Sequence, residues 1–130
     1  MKEIIHTASA PAAVGPYSQA TAFEKLLFVS GQLPIDPATG EITTDEVKGQ
    51  TRQCLENLRA VLEAGGSSLQ AVMKTSVYLK DISHFAAMNE VYASYFTEKP
   101  PARAAFEVAN LPKGALVEVE AIAIRSTYPE

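Results

Sequence analysis

Two helical segments among short apolar strands restrict the fold of this chain more than any other feature of its sequence. Apolar residues recur at helical spacing over residues 47–62, ahead of Gly65, and over residues 85–96, ahead of Pro100. The strands predicted around these helices span residues 17–23, 26–31, 73–79, 103–109 and 115–125, with a further short strand at residues 2–6. The resulting order, β-β-α-β-α-β-β after the first short strand, predicts an α+β fold whose two helices cover one face of a sheet.

The last two strands carry charged residues in otherwise apolar surroundings. They are predicted to form a β-hairpin that is closed by residues 110–114. Arg103 lies in the first strand and Glu120 in the second, and burying either charge is costly unless it is paired or used. If both belong to one site within one chain, they must lie on the same face, because a shift of one residue reverses the faces. A site shared by two chains removes this condition.

The second face of the predicted sheet has no helix to cover it. In either register, the strands direct many Val, Ile, Ala and Leu side chains toward this face. A monomer would expose a large apolar patch to water, and such patches usually mark an interface. The sequence therefore predicts a homo-oligomer.

Length, charge and cysteine content disfavour several classes of protein. A chain of 130 residues is long enough for one domain with its own core, predicted to span residues 1–130. A net charge of −4 without a basic segment disfavours nucleic-acid binding, and the N-terminus has no apolar run typical of a signal peptide or a membrane span. The single cysteine, Cys54, permits no intrachain disulfide and is consistent with a cytoplasmic location.

Cysteine and histidine are not expected to carry chemistry in this chain. Cys54 lies on the apolar stripe of the first predicted helix, which favours a packed core thiol over a nucleophile. His6 and His84 are isolated from it and from each other, so no metal site is predicted. The sequence also has no serine–histidine pair, phosphate-binding glycine loop or dinucleotide fingerprint.

Arg103 and Glu120 are the strongest candidates for a site, and each has an alternative interpretation. The planar guanidinium of Arg103 can bind a carboxylate through two parallel hydrogen bonds, or it can form a structural ion pair with Glu107 or Glu118. Glu120 can serve as a general base or hold a water molecule, or it can be a solvated carboxylate on a strand face.

Four further residues are weaker candidates. Ser30 and Gly31 end a buried strand, where backbone N–H groups can approach a ligand, although a plain strand-to-loop turn is the commoner explanation. Tyr17 can direct its hydroxyl to a pocket or pack at an interface, and Asn89 can form a simple helix–loop hydrogen bond. From these residues alone, the prediction is an oligomeric α+β domain that binds a small anion.

Several long segments of the chain resemble the YjgF/RidA family, in the order and at the spacing of that family. The resemblance covers nearly the whole chain, which makes it more specific than a single short motif. The matching segments are residues 10–19 (APAAVGPYSQ), 28–34 (FVSGQLP), 101–103 (PAR), 107–113 (EVANLPK) and 117–123 (VEVEAIA).

The resemblance implies both a fold and an activity. The implied fold is chorismate-mutase-like, with a mixed sheet of about six strands and helices on one face, assembled as a homotrimer whose sheets form a central barrel. The implied activity is hydrolysis of reactive 2-imino acids and their enamine tautomers, such as 2-iminobutanoate and 2-iminopropanoate, to 2-oxo acids and ammonia. No cofactor is implied, and a ligand cleft is expected between each pair of neighbouring subunits.

The resemblance also implies a role for each candidate residue. Arg103 would bind the substrate carboxylate, and Glu120 would hold and polarise the water that attacks the imine carbon. The remaining cleft residues would be Tyr17, Ser30, Gly31 and Asn89. Many bacterial relatives have a cysteine where this chain has Ala105, which argues against a thiol-based role here.

Three other functions are alternatives to imine hydrolysis. A non-catalytic module that binds small carboxylates and regulates a partner would need Arg103 but would not turn over a substrate. An endoribonuclease or translation inhibitor, as some relatives have been described, is disfavoured by the acidic charge and the absence of a basic stripe. A chorismate mutase would rest on fold analogy alone.

Overall fold

A six-stranded mixed sheet forms the centre of the computed structural model, which describes residues 1–126. The elements in chain order are β1 (Glu3–Ile5), β2 (Ala20–Phe23), β3 (Leu26–Gln32), β4 (Ile35–Asp36), β5 (Glu41–Ile42), α1 (Val47–Ala64), β6 (Val72–Leu79), α2 (Phe85–Tyr95), β7 (Ala102–Glu107) and β8 (Val117–Ile124). The strand order in the sheet is β1-β2-β3-β8-β6-β7, while β4 and β5 form a separate small ribbon. The α+β class and the number of strands in the sheet are as the sequence predicted.

The predicted hairpin between the last two strands is wrong, because β6 lies between β7 and β8. β6 runs parallel to β7 and antiparallel to β8, so that Ser76 pairs with Ala104 on one side and with Glu120 on the other. The physical reason is α2, which connects β6 to β7. A strand that follows such a crossover helix returns to the sheet parallel to the strand before the helix. β8 then pairs with the opposite edge of β6.

Both helices pack on one face of the sheet, as the sequence predicted. Alternate strand residues enter the core on this face, where they meet the apolar stripe of α1 and the inner side of α2. Cys54 is fully buried in α1, with its Sγ 3.6 Å from the carbonyl oxygen of Val117. This burial confirms that Cys54 is a packed core residue, and it raises the pKa of the thiol well above its usual value.

The opposite face, called the open face below, is uncovered and largely apolar. Along β8, residues 117, 119, 121 and 123 are buried, whereas the intervening residues point to the open face. Several large apolar residues on this face have a third to more than half of their surface exposed, namely Ile4, Phe23, Leu26, Phe28, Phe106, Ile122 and Ile124. These side chains form the apolar surface on which the predicted homo-oligomer depends.

The described part of the chain has no helix with the length and apolar character needed to cross a membrane.

Candidate functional site

A cavity of about 620 Å³ lies on the open side of the sheet, where β3 and β8 separate. The pairing between these strands shifts register between Val29 and Gln32, so that Ser30 and Gly31 form a bulge. A bulge bends its strand locally and often borders a functional site. We call this space the bulge cavity; its lining includes Tyr17, Ser30, Gly31, Lys113, Glu118 and Glu120. Four of the six residues predicted for the site therefore meet here.

Hydrogen bonds from Ser30 and Gln19 hold the bulge and the preceding loop in place. Ser30 donates its hydroxyl to the carbonyl oxygen of Ser18 at 2.6 Å and its backbone N–H to that of Gln19 at 3.0 Å. The buried Gln19 amide in turn donates to the carbonyl oxygens of Thr7 and Pro11. Sequence reasoning did not single out Gln19, since one polar residue in the predicted strand of residues 17–23 does not reveal its hydrogen-bond partners.

Two carboxylates lie side by side in the bulge cavity. Glu118 and Glu120 are two positions apart on β8 and share the open face. The Tyr78 hydroxyl, on the neighbouring strand β6, donates a hydrogen bond to Oε1 of Glu120. The Tyr78 ring is fixed by an edge-on contact with Phe106, with ring centroids 5.4 Å apart. The hydrogen bond to Glu120 raises the pKa of the Tyr78 phenol, so Tyr78 acts as a donor at neutral pH.

Glu118 has a different environment from Glu120. Its carboxylate packs on the backbone of Gly31, and a Cβ at position 31 would lie 2.8 Å from Cδ of Glu118. Burial raises the pKa of the Glu118 carboxyl, and the charge of Glu120 raises it further. Sequence reasoning considered Glu118 only as an ion-pair partner, although its spacing from Glu120 places both on one face. Tyr78 could not be found without the strand order.

The other two predicted residues, Arg103 and Asn89, line a second cavity of about 390 Å³, called the arginine cavity. Nη1 of Arg103 donates a hydrogen bond of 2.7 Å to Oδ1 of Asn89. The guanidinium lies over the rings of Tyr92 and Phe85, at 4.8 and 5.3 Å from their centroids. The hydroxyl of Tyr92 lies 2.7 Å from Oγ1 of Thr75, so that α2 is joined to β6 beneath the arginine.

The structural ion pair considered for Arg103 is not formed. Within residues 1–126, no carboxylate lies within ion-pair distance of its guanidinium. Glu107 instead accepts a hydrogen bond of 2.9 Å from the backbone N–H of Ile82, and Glu118 lies in the bulge cavity. Arg103 is thus exposed, held in one orientation by α2, and has donors available to an anion.

Arg103 and Glu120 lie on opposite faces of the sheet in one chain. Arg103 pairs with Thr75, which pairs on its other side with the buried Ala121, and all three face the helices. Glu120 pairs with Ser76 and faces the open side. The bulge cavity and the arginine cavity are therefore separated by the sheet, and one chain alone does not bring these two residues together.

The part of the chain that the structure describes has no group of three or more His, Cys, Asp or Glu side chains that could hold a metal ion.

The sequence and the structure both match known proteins. A family model described as endoribonuclease L-PSP matches residues 7–125. A RutC family protein of Pyrococcus horikoshii is 58% identical over 125 residues, which cover 96% of this chain and 99% of that protein. The 2-iminobutanoate/2-iminopropanoate deaminase of Capra hircus is 47% identical over 125 residues, with 96% and 91% covered.

Solved structures agree with the fold. The crystal structure of E. coli TdcF with bound serine has a TM-score of 0.91 and 42% sequence identity, and the match covers 95% of this chain and 99% of TdcF. The correspondence extends over the sheet and both helices, because almost the whole of each chain is matched.

Proposed function

Since the chain belongs to the RidA/YjgF family, we propose that it hydrolyses 2-imino acids and their enamine tautomers to 2-oxo acids and ammonia. The proposed substrates are 2-iminobutanoate and 2-iminopropanoate, which are named in relatives of 42–47% identity. The observation that carries the proposal is the guanidinium of Arg103, which is oriented by Asn89 and Tyr92 but not neutralised by a carboxylate. Such a group suits a ligand with its own carboxylate.

We also propose that the active protein is a homotrimer whose open faces pack together as a barrel. Packing would bury the apolar side chains of the open face. It would also allow the bulge cavity of one subunit to meet the arginine cavity of its neighbour, giving one complete cleft at each interface. This assembly accounts for the separation of Arg103 and Glu120 by the sheet within one chain.

In the proposed cleft, catalysis is mainly a matter of positioning. Arg103 of one subunit binds the substrate carboxylate through donors that Asn89 does not occupy. Glu120 of the neighbouring subunit holds the attacking water, because Tyr78 occupies its Oε1 and leaves Oε2 for the water. The carbon of an imine is a good electrophile once the nitrogen takes a proton, so fixing the carboxylate and directing one water can supply most of the acceleration. Tyr17, Ser30 and Gly31 shape the wall around the reacting carbon.

The proposal is tested by generating 2-iminobutanoate with a threonine dehydratase and following the imine that semicarbazide traps. Addition of the protein should lower the amount of trapped imine and speed the appearance of 2-oxobutanoate. An unchanged rate of imine loss at stoichiometric protein would contradict the proposed activity. No cofactor or metal is added to the assay, because none is needed by the chemistry proposed.

A second function is binding of small carboxylates in order to regulate a partner protein. It is supported by the structure of the relative TdcF, which was solved with serine bound. This function predicts that a 2-oxo acid binds and that Arg103→Ala abolishes binding, while no imine is consumed. Calorimetric titration with 2-oxobutanoate, carried out beside the imine assay, separates the two functions. Nuclease activity is not proposed, since the chain has a net charge of −4.

Asn89 provides a test of how Arg103 is positioned. Asn89→Ala should raise KM for the imine by about tenfold and leave kcat nearly unchanged, because the guanidinium keeps its aromatic contacts but loses one fixed hydrogen bond. Asn89→Asp should raise KM further, because a carboxylate beside Arg103 competes with that of the substrate. Steady-state kinetics of both variants check the prediction; an equal KM in wild type and Asn89→Asp would contradict it.

The extent and location of the protein are also proposals. The family match over residues 7–125 supports one domain spanning residues 1–130. The single cysteine, buried as a free thiol in α1, is consistent with the proposed cytoplasmic location.

A further inference from the structure

We propose that Glu118 is a second catalytic carboxylate, which donates a proton to the imine nitrogen, and that Tyr78 assigns the proton-accepting role to Glu120. This inference rests on the proposed imine hydrolysis and adds the source of the proton that the departing ammonia needs. It also gives separate tasks to two glutamates that the sequence presents as equivalent neighbours on one strand.

The positions of the two carboxylates fit a shared reaction. Glu118 and Glu120 lie on the same face of β8, with Cα atoms about 7 Å apart by strand geometry, and both line the bulge cavity. A substrate atom between them can therefore lie within reach of both side chains. Paired carboxylates commonly divide acid and base roles in hydrolytic sites.

The carboxylates of Glu118 and Glu120 have different hydrogen-bond partners and different packing. Glu120 accepts a hydrogen bond from the Tyr78 hydroxyl at Oε1, which fixes one carboxylate oxygen and leaves Oε2 to accept a hydrogen bond from water. Glu118 packs on Gly31 and, within residues 1–126, accepts no hydrogen bond. Burial raises its pKa, and the charge of Glu120 adds to this effect. A carboxyl group whose surroundings favour its neutral form is suited to the role of proton donor.

Ionisable side chains from several neighbouring elements surround Glu118. Lys113, in the loop before β8, shares the lining of the bulge cavity, while Lys74 and Glu120 line a small adjoining cavity. In the proposed trimer, Arg103 of the neighbouring subunit would face the same space and bind the substrate carboxylate. The remaining titratable groups are Tyr17 in the lead-in loop, Tyr78 on β6 and Cys54 on α1.

The proposed steps balance in protons and electrons. The water oxygen bonds to the imine carbon while Glu120 takes one of its protons, and the C=N π pair moves to nitrogen, which takes the proton of Glu118. The proton on Glu120 then passes to Glu118, which delivers it to the amine nitrogen. The C–N bond breaks with its electron pair leaving on ammonia, the carbonyl forms, and Glu120 takes the hydroxyl proton. Return of this proton to Glu118 restores the starting state.

The glycine at position 31 agrees with a functional Glu118. A methyl group there would press on the carboxylate, so a side chain at this bulge is incompatible with the observed position of Glu118. A half-buried carboxylate beside a second one is also unfavourable for folding. The arrangement is explained if Glu118 takes part in the proposed reaction.

The test compares pH profiles of wild type and Glu118→Gln in the imine assay. The variant should lose at least about 100-fold in kcat, keep KM within about twofold, and lack the alkaline limb of the wild-type profile, because glutamine cannot donate and then recover a proton. Glu63→Gln, an exposed change on α1, should behave as wild type. Wild-type kcat and an intact alkaline limb in Glu118→Gln would overturn the inference. Absence of activity in wild type would instead overturn the proposed function.

Tyr78→Phe tests the second half of the inference. It keeps the ring that contacts Phe106 but removes the hydroxyl bound to Glu120, and should lower kcat by about tenfold with KM unchanged. Tyr95→Phe is a matched control, because it removes a phenol that donates to Glu56 at 2.7 Å on the helical side. A kcat equal to wild type in Tyr78→Phe would remove Tyr78 from the proposal.

Thermal unfolding separates this role from a structural one. A carboxyl whose pKa is higher in the folded protein than in the unfolded chain makes the fold less stable as the pH rises between these two values. Glu118→Gln should therefore raise Tm at about pH 8 and have little effect near pH 3.5, where the glutamate is protonated in both states. If Glu118→Gln is less active but more stable than wild type, the result supports a catalytic role for Glu118. A lower Tm than wild type at pH 8 would instead indicate that Glu118 is a structural side chain.

Discussion

Arg103→Ala should lower kcat/KM for 2-iminobutanoate by about 30- to 1,000-fold. Loss of two charge-assisted hydrogen bonds to the substrate carboxylate corresponds to about 2–4 kcal/mol of transition-state stabilisation. The guanidinium is exposed and forms no ion pair with the described residues, so its removal leaves no buried charge without a partner. The fold should therefore be retained, as circular dichroism and Tm can verify. Steady-state kinetics with the coupled dehydratase assay measure the loss.

Two further variants define what the arginine contributes. Arg103→Lys keeps a positive charge but loses the planar fork and its stacking on Tyr92, so most of the loss should remain. Arg59→Ala is a matched control, because Arg59 also lies over a tyrosine ring, that of Tyr95 at 5.3 Å, and lines neither cavity. Arg103→Ala with the rate of wild type would remove Arg103 from the site.

Mixing two inactive variants should restore activity if the cleft is shared between chains. Arg103→Ala subunits retain Glu120, and Glu120→Gln subunits retain Arg103. In a ring of three that contains both kinds of chain, about one in three clefts combines an intact Arg103 from one subunit with an intact Glu120 from the next. Co-expression of two differently tagged chains, purification through both tags and the imine assay should yield a substantial fraction of wild-type kcat with wild-type KM.

The control mixture contains Arg103→Ala chains and chains that carry both substitutions. No cleft in that mixture has an intact Arg103, so the activity should stay at the level of the single variants. If the first mixture forms hybrid trimers by native mass spectrometry and still lacks activity, the two residues do not meet across an interface.

The secondary structure was largely predictable from sequence, whereas the strand order was not. The stripe of α1 and the apolar run of β3 are local patterns that a window of residues reveals. The turn residues 110–114 indicated a hairpin. Local patterns of this kind cannot show that a third strand lies between two strands that are consecutive in sequence. The pairing of β6 with both β7 and β8 depends on distant contacts and on the crossover through α2.

The residues of the candidate site were likewise only partly predictable from the sequence. Arg103 and Glu120 could be singled out because charges are unusual in apolar strands. Tyr78 and Gln19 could not, because their importance comes from partners that are 42 and 12 residues away. The strand order also decides that Arg103 and Glu120 lie on opposite faces of the sheet, because both strands pair with β6 and not with each other.

The separation of Arg103 and Glu120 by the sheet has a genetic consequence. In a ring of three subunits, each chain would contribute Arg103 to one cleft and Glu120 to another. One subunit that lacks both residues would disable two clefts and leave about one in three working. In a cell that produces both chains, such an allele should be partly dominant, whereas an allele whose product fails to fold should be recessive.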